Sequence, residues 1–496
     1  KLTGRGVTGN TIISTGLNVT NATSTQIVDT DFTRKRRIYG YFADLSFGYK
    51  DYLYFNLVGR NDVSSTLPIG ANSYFYPGAS ISLMVNELVT LPDFFDSLKL
   101  RVANTKVGND ADPYRTATSF SIGNPFTSPL YGLNNVASLQ NTLGNSALKP
   151  EFTSEVEAGL SAVLLNNRLS FDVTYFSRVS TEQIATAAVA RSSGFSQSVV
   201  NIGELSNKGW EIGLDTYPIA TDNFTWNTYF AFTKIESLVV DAGPNGEIFV
   251  GGPGSSLGTI HRNGFPYGQI FGSYNAKDDE GTLFINKATG LPFAAAQSDI
   301  IGNPNPDFTL GINNEFSYKN FTLRALIDWK QGGDFYSFTA ASLMLRGQLA
   351  NSVEREDLRV VPGVYGSNQS YEAILDSNGN KIQNTTGITS FDSHFSDGWG
   401  AYGQDEVNVY DGTTIRLRDI GLIYNVPTTL LERTFIGTAS LSLNGRNIFW
   451  KAPNVLEGLN LDPEVLAEGA SSNVQGFEYG ATPTTRSYSL NIALTF

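Results

Sequence analysis

Side chains able to do covalent or metal chemistry are few in this chain. It has no cysteine and two histidines, His261 and His394, which removes disulfides, thiolate ligands and cysteine nucleophiles. Both histidines fall in segments that read as loops. Gly251-Gly252-Pro253-Gly254-Ser255-Ser256 is glycine-rich but lacks the Gly-Lys-Ser/Thr ending of a phosphate loop. Carboxylates are plentiful, 47 in all, yet no pair has the local support a glycosidase reading needs. No catalytic residue, cofactor or metal is therefore assigned, and the chain is not expected to be an enzyme. Rings in long loops are the better candidates for holding a ligand: Tyr274, Phe335, Tyr336, Trp399 and Tyr402 are expected to stack on sugar faces or peptide side chains. The competing reading has these rings packing loop against loop or against a partner subunit.

A net charge of −13 argues against a nucleic-acid partner, because phosphate binding relies on lysine and arginine. Hydrophobic residues make up 41% of the 496, but no apolar run approaches the ~20 residues of a membrane helix. Aromatics at 12% and 49 glycines favour strands and turns.

About thirteen strand-like segments can be read from alternation of apolar and polar side chains. Their boundaries run 39–49, 52–62, 80–86, 98–106, 155–165, 169–178, 205–217, 224–234, 308–318, 321–331, 415–424, 438–448 and 488–496. Tight links such as Lys50-Asp51, Asn166-Asn167-Arg168 and Lys319-Asn320 carry residues that tolerate hairpin-turn conformations. Long loops, 108–150, 241–306 and 332–412, occupy the opposite ends. Short turns on one side and long loops on the other fit an outer-membrane barrel. Asp172, Glu211, Asp215, Arg324 and Asp328 would each cost several kcal/mol facing lipid, so they are expected to face the lumen. Arg101, Arg416 and Arg418 are read as lumen residues paired with carboxylates. Aromatics at Tyr49, Tyr52, Phe224, Trp226, Tyr318 and Phe321 cluster near the short turns like an interfacial girdle. A phase break near Arg418-Asp419 predicts a bulge. In the last strand, Tyr488, Leu490, Ile492, Leu494 and Phe496 share one apolar face and end on an aromatic terminus.

Several segments carry a family resemblance. In order they are Gly40-Tyr41-Phe42-Ala43-Asp44-Leu45 with Tyr49-Lys50-Asp51-Tyr52-Leu53, Arg60-Asn61-Asp62-Val63-Ser64-Ser65, and Leu98-Lys99-Leu100-Arg101 ahead of Gly108-Asn109. Then come Asn145-Ser146-Ala147-Leu148-Lys149-Pro150-Glu151, Asn207-Lys208-Gly209-Trp210-Glu211, and Ile301-Gly302-Asn303-Pro304-Asn305-Pro306-Asp307-Phe308. Ile415-Arg416-Leu417-Arg418 through Pro427 and Gly445-Arg446-Asn447-Ile448-Phe449 complete the set. From about Arg37 to Phe496 the chain resembles TonB-dependent outer-membrane transporters of the SusC/RagA type from Bacteroidetes-like bacteria.

The resemblance implies an all-β transmembrane antiparallel barrel of about 22 strands, of which residues 37–496 supply about thirteen, with 1–36 an extracellular loop or partial strand. The plug and first strands would lie upstream; Lys1 opens the chain without a signal peptide, so a mature product or a piece of a longer chain is expected. It further implies import of oligosaccharides or peptides with a SusD-like lipoprotein as lid, TonB as energy source and outer-membrane lipid around the wall. The terminal Tyr488–Phe496 face would serve as the insertion signal. Many relatives carry an Asp-rich "DxNGDG"-like stretch able to hold a cation; Asp278-Asp279-Glu280-Gly281 lacks its alternation. Rivals are a passive porin-like channel, a barrel component of a larger envelope complex, and a secreted β-rich lectin or adhesin.

Overall fold

In a computed structural model, thirteen antiparallel strands join in strict chain order into one sheet. The structure describes residues 2–8, 27–122, 126–128, 132–134, 137–254, 256–350, 353–367, 371–390, 392, 404–456, 458–459, 461–466, 473–482 and 484–496. The strands are β1 (Ile38–Tyr49), β2 (Leu53–Ser64), β3 (Ser73–Met84), β4 (Phe95–Asn109), β5 (Glu151–Leu164), β6 (Leu169–Thr181) and β7 (Glu204–Ala220). They continue as β8 (Phe224–Asp241), β9 (Pro306–Tyr318), β10 (Phe321–Gly332), β11 (Thr414–Asn425), β12 (Thr438–Lys451) and β13 (Ser487–Thr495). Leu2–Thr8 and Ile27–Arg34 pair as a separate ribbon.

The tight links turn where the residue types allow it. Lys50 and Asp51, Asn166 and Asn167, and Lys319 all adopt positive φ, which short polar side chains and hairpin geometry accommodate. Every second connection spans 12 residues or fewer at one end of the sheet, and the others, 65–72, 110–150, 182–203, 242–305, 333–413 and 452–486, lie at the opposite end.

Register gives the sheet two chemically distinct faces, because alternate side chains point opposite ways. Asp172 lies opposite Gly213, Thr174 opposite Glu211, and Ser170 opposite Asp215. Gly311 faces Asp328, and Glu315 faces Arg324. All five charged residues singled out above thus lie on one face with Asn491 and Ser489. The other face carries Tyr41, Leu45, Leu443, Leu490 and Ile492, all well exposed. At its short-turn end Phe224 pairs with Tyr318, Tyr318 with Phe321, and Phe321 with Tyr424, giving a continuous aromatic row, as at a membrane interface.

Three strands depart most from the sequence reading. β3 begins at Ser73 rather than at 80 and stops at Met84, followed by a helical turn, Val85–Leu88. Pro77 hid its start; the β3–β4 ladder begins only at Gly78, so Pro77 sits where no β4 partner needs its missing N–H. β7 and β8 run past the expected ends, and residues beyond Thr233 pair with β7 but not β9. The bulge falls on Arg418, which the β10 ladder skips.

Candidate functional site at the mouth

The long connections build on one another at one end of the sheet. Asp334–Ser337 pairs antiparallel with Val409–Asp411 and parallel with Phe477–Glu478, so loops 242–305, 333–413 and 452–486 share a core of Leu257, Ile270, Tyr336 and Phe477. Glu478 is buried beneath it and accepts hydrogen bonds from Ser337 Oγ (2.7 Å), Thr339 N (3.1 Å), Thr339 Oγ1 (2.7 Å) and Ala481 N (3.0 Å). Four donors satisfy a carboxylate that would otherwise be costly to bury.

The family motifs form locks at the loop bases. In Asn145–Glu151, Leu148 is fully buried with Leu67, Tyr74, Ala111 and Val199. Asn201 Oδ1 accepts from Lys149 N (2.8 Å), while its Nδ2 donates to the carbonyls of Lys149 (2.8 Å) and Glu182 (3.0 Å). Glu151 accepts from Asn109 Nδ2 at 3.0 Å and Ile184 N at 2.7 Å, tying loop 110–150 to loop 182–203. Ser64, from the Arg60–Ser65 motif, donates to Asp110 together with Thr66 and Arg36. Burial would raise the Asp110 carboxyl, but these donors outweigh it and hold it below the usual carboxylate range. Asn303, from Ile301–Phe308, accepts from Gln269 Nε2 and Asn305 Nδ2, and its N–H donates to Asp334 at 2.8 Å. Gly209 is squeezed between the Lys234 carbonyl and the Phe176 ring, leaving no room for a Cβ.

The last long loop is fastened into the polar face by ions. Arg416 and Asp462 are both 2% exposed and pair at 2.5 Å, with Glu464 at 3.3 Å. Thr484 Oγ1 donates to the second Asp462 oxygen at 2.6 Å. Burial pushes the Asp462 carboxyl up, but Arg416 and Thr484 hold it below its ordinary value. The bulged Arg418 bridges Asp328 and Glu464.

Between the locks lies a cleft of about 560 Å³, a size suited to a small ligand or a short segment of a longer one. Its walls come from the ends of β4, β5, β7 and β8 and from the loops 110–150, 182–203, 242–305 and 452–486. Phe249, its ring edge-on to Phe271, and the His261–Tyr267 pair, stacked at 4.2 Å between ring centres, are among the lining residues. Burial lowers the His261 pKa to about 4, so the ring is neutral near pH 7 and accepts a hydrogen bond from Gly268 N at Nδ1 (3.2 Å).

Of the loop aromatics singled out in the sequence, Phe335 and Tyr336 lie enclosed at 1% and 3% exposure, packed against Tyr410 and Phe477. Neither offers a ring face to a ligand. Tyr274 is half-buried, and Trp399, Tyr402 and His394 lie outside the described residues. The structure does not bring Tyr274 to the cleft. Phe249, Tyr267, Glu204 and Asp241 line the cleft and carry no spacing signal; they meet only through register and loop packing. Asp172 binds Arg101 in a bidentate pair (2.8 and 2.7 Å), Asp215 accepts from Asn227 at 2.6 Å, Arg324 pairs with Glu315 at 2.8 Å, and Glu211 is exposed. Tyr488, Leu490, Ile492, Leu494 and Phe496 are exposed, with Phe435 stacked on Phe496.

A two-faced antiparallel sheet with an aromatic row, short turns at one end and locked loops at the other is the wall of an outer-membrane β-barrel. Residues 3–264 match the family model described as "TonB dependent receptor-like, beta-barrel". The chain belongs to the TonB-dependent receptor β-barrel family, whose members are transporters rather than enzymes. It is 25% identical over 515 residues to TonB-dependent receptor P26 of Formosa agariphila, covering 97% of this chain and 48% of that protein. It is 23% identical to the TonB-dependent receptor SusC of Bacteroides thetaiotaomicron, over 65% of this chain and 34% of SusC. The fold matches a solved structure of the RagAB peptide transporter with a TM-score of 0.69 at 17% identity, covering 98% of this chain and 50% of that one. The chain spans about half the length of the curated relatives with which it aligns over most of its own.

Proposed function

We propose that this chain is barrel wall and mouth of an active importer, drawing oligosaccharides or peptides across the outer membrane with energy delivered through TonB. The observation that carries the reading is the joining of a polar inner face to a mouth whose loops are locked around a cleft. A passive pore needs no such capture site, whereas an importer that collects scarce ligand does. Further strands and a plug from the same polypeptide would close the sheet between β1 and β13, since an open strand edge is not tolerated in lipid. A SusD-like lipoprotein would cover the loops; SusC and the RagAB transporter, both similar to this chain, support that partner and a glycan or peptide cargo. Residues 1–36 would lie at the extracellular side.

The test is uptake of fluorescent peptides and oligosaccharides by cells expressing the receptor, with and without functional TonB. Uptake is expected to fall to background when TonB is removed and when the lipoprotein is deleted. Entry that is unchanged without TonB would instead establish a passive channel.

A further inference from the structure

A second aromatic row crosses the apolar face near the mouth. Tyr175 lies opposite Trp210, their ring centres 4.9 Å apart. Phe232, Phe308 and Trp329 meet in turn, with ring centres 5.6 and 5.2 Å apart. Phe449, opposite Leu417 and well exposed, continues the row on β12. The two rows are eight residues apart on β8 and β10 (Phe224 to Phe232, Phe321 to Trp329) and ten on β9 (Phe308 to Tyr318). At ~3.4 Å per residue and a strand tilt of ~40° that is about 21–26 Å, the height of the apolar band of an outer-membrane barrel. The second row therefore marks where hydrocarbon gives way to the headgroups of the outer leaflet.

Just beyond that row the outward side chains turn basic. Alternation places Lys208 next after Trp210 on β7, Lys234 next after Phe232 on β8, and Lys451 next after Phe449 on β12. Ser177, Pro306 and Gln331 hold the same place on β6, β9 and β10, so these strands set lysines and no carboxylate at this level. The whole chain has 47 carboxylates against 34 lysines and arginines, which makes the cationic rim a local departure from its composition. Lys234 stands opposite Trp210, and Lys208 opposite Glu236. Glu236 holds both lysine heads, Lys234 at 3.1 Å and Lys208 at 3.3 Å. One carboxylate between two ammonium groups leaves a surplus positive charge and keeps the pair side by side. Both lysines stay about half exposed, Lys451 is exposed, and Trp210 keeps 46% of its surface open beside the pair.

We propose that the outward rim of the barrel binds the phosphate groups of an outer-leaflet glycolipid, with Lys208 and Lys234 forming one seat and Lys451 another. The occupant is a lipid rather than free phosphate because the lysines lie on the lipid side of the sheet, directly above the aromatic row. A headgroup is held at that depth by its own acyl chains against the strands below. A free anion must instead approach from water toward a chain of net charge −13. The open face of Trp210 suits the sugar that carries the phosphate. The assignment rests on the barrel geometry and is independent of the cargo.

Binding of diphosphorylated lipid A to the full-length receptor in a non-ionic detergent is the test, with dephosphorylated lipid A as the neutral counterpart. The phosphorylated lipid is expected to bind about tenfold or more tightly, since each basic residue near a lipid surface contributes roughly fivefold, and the preference should shrink as salt rises. Lys208→Gln, Lys234→Gln and Lys451→Gln together should remove the preference, whereas arginine at the same three positions should keep it. Unchanged heat-modifiable mobility in a gel would show both variants folded. Equal binding of the two lipids by the unaltered receptor, or a preference that survives the triple glutamine variant, would overturn the proposal. So would full competition by millimolar inorganic phosphate, which would mark a free-anion site instead.

Discussion

Replacing Arg416 by methionine is expected to release the loop 452–486 from the barrel mouth while leaving the thirteen-stranded sheet assembled. Asp462 is 2% exposed, and its compensation comes chiefly from the Arg416 guanidinium, with Thr484 and the Glu464 N–H supplying neutral donors. Removing the cation leaves a carboxylate without its counter-charge, which for a buried pair costs about 3–5 kcal/mol. Glu464 loses one of its two arginines but keeps Arg418 at 2.5 Å. The cost therefore falls on the loop that carries Asp462 rather than on the β10–β11 ladder. Hydrogen exchange across 473–482 should rise by two orders of magnitude or more, since each 1.4 kcal/mol is about tenfold in an opening equilibrium. Arg416→Met combined with Asp462→Leu should recover most of the protection, because an apolar pair avoids the desolvation both ions carry. The recovery is expected to be helped by Arg416 Nη1, which is buried without a partner among the described residues. If the double variant were as loose as the single one, the ion pair would not be what fastens the loop.

The second large effect separates the two faces of β12. Leu443 and Ser442 are neighbours in sequence, yet Leu443 pairs with Leu422 and Leu490 while Ser442 pairs with Ile423 and Asn491. An arginine at Leu443 would project from the apolar face near the middle of the strand and meet hydrocarbon, at about 2–4 kcal/mol. An arginine at Ser442 would project toward Asn491 on the polar face, where water and carboxylates are at hand. Leu443→Arg should therefore lower the fraction of receptor assembled in the outer membrane several-fold, and Ser442→Arg should leave it near normal. Both outcomes are read by heat-modifiable mobility of membrane fractions.

The sheet was legible in the sequence because lipid and lumen impose opposite polarities on alternate residues. β6, β9 and β10 announce themselves through that period, and the Arg418 bulge through its interruption. β3 was cut short because Pro77-Gly78 mimics a turn, although Pro77 lies where the β3–β4 ladder has not yet begun. The mouth was much less legible. Tyr336 meets Phe477, Ser337 meets Glu478 and Arg416 meets Asp462 across long sequence separations, and no local period encodes such meetings. Exposure of Phe335 and Tyr336 could not be judged from loop position alone, since these loops bury a core of their own. Glu204 and Asp241 become opposed only through the displaced register at Val240. The motifs Asn145–Glu151 and Ile301–Phe308 marked the family by order and spacing. Their physical work as loop locks appears only when Asn201, Glu182 and Asp334 are brought to them.

The central claim is that one face of the sheet meets lipid and the other meets a watery lumen. The chain has no cysteine, so single cysteines at Leu441, Ser442, Leu443 and Asn444 can carry spin labels without background. Collision rates with oxygen, which partitions into lipid, and with a polar nickel chelate, which stays in water, are measured in reconstituted bilayers. The account predicts alternation: labels at Leu441 and Leu443 favour oxygen, and those at Ser442 and Asn444 favour the chelate. Equal chelate access at all four positions would contradict it and return the sheet to a water-soluble β-protein.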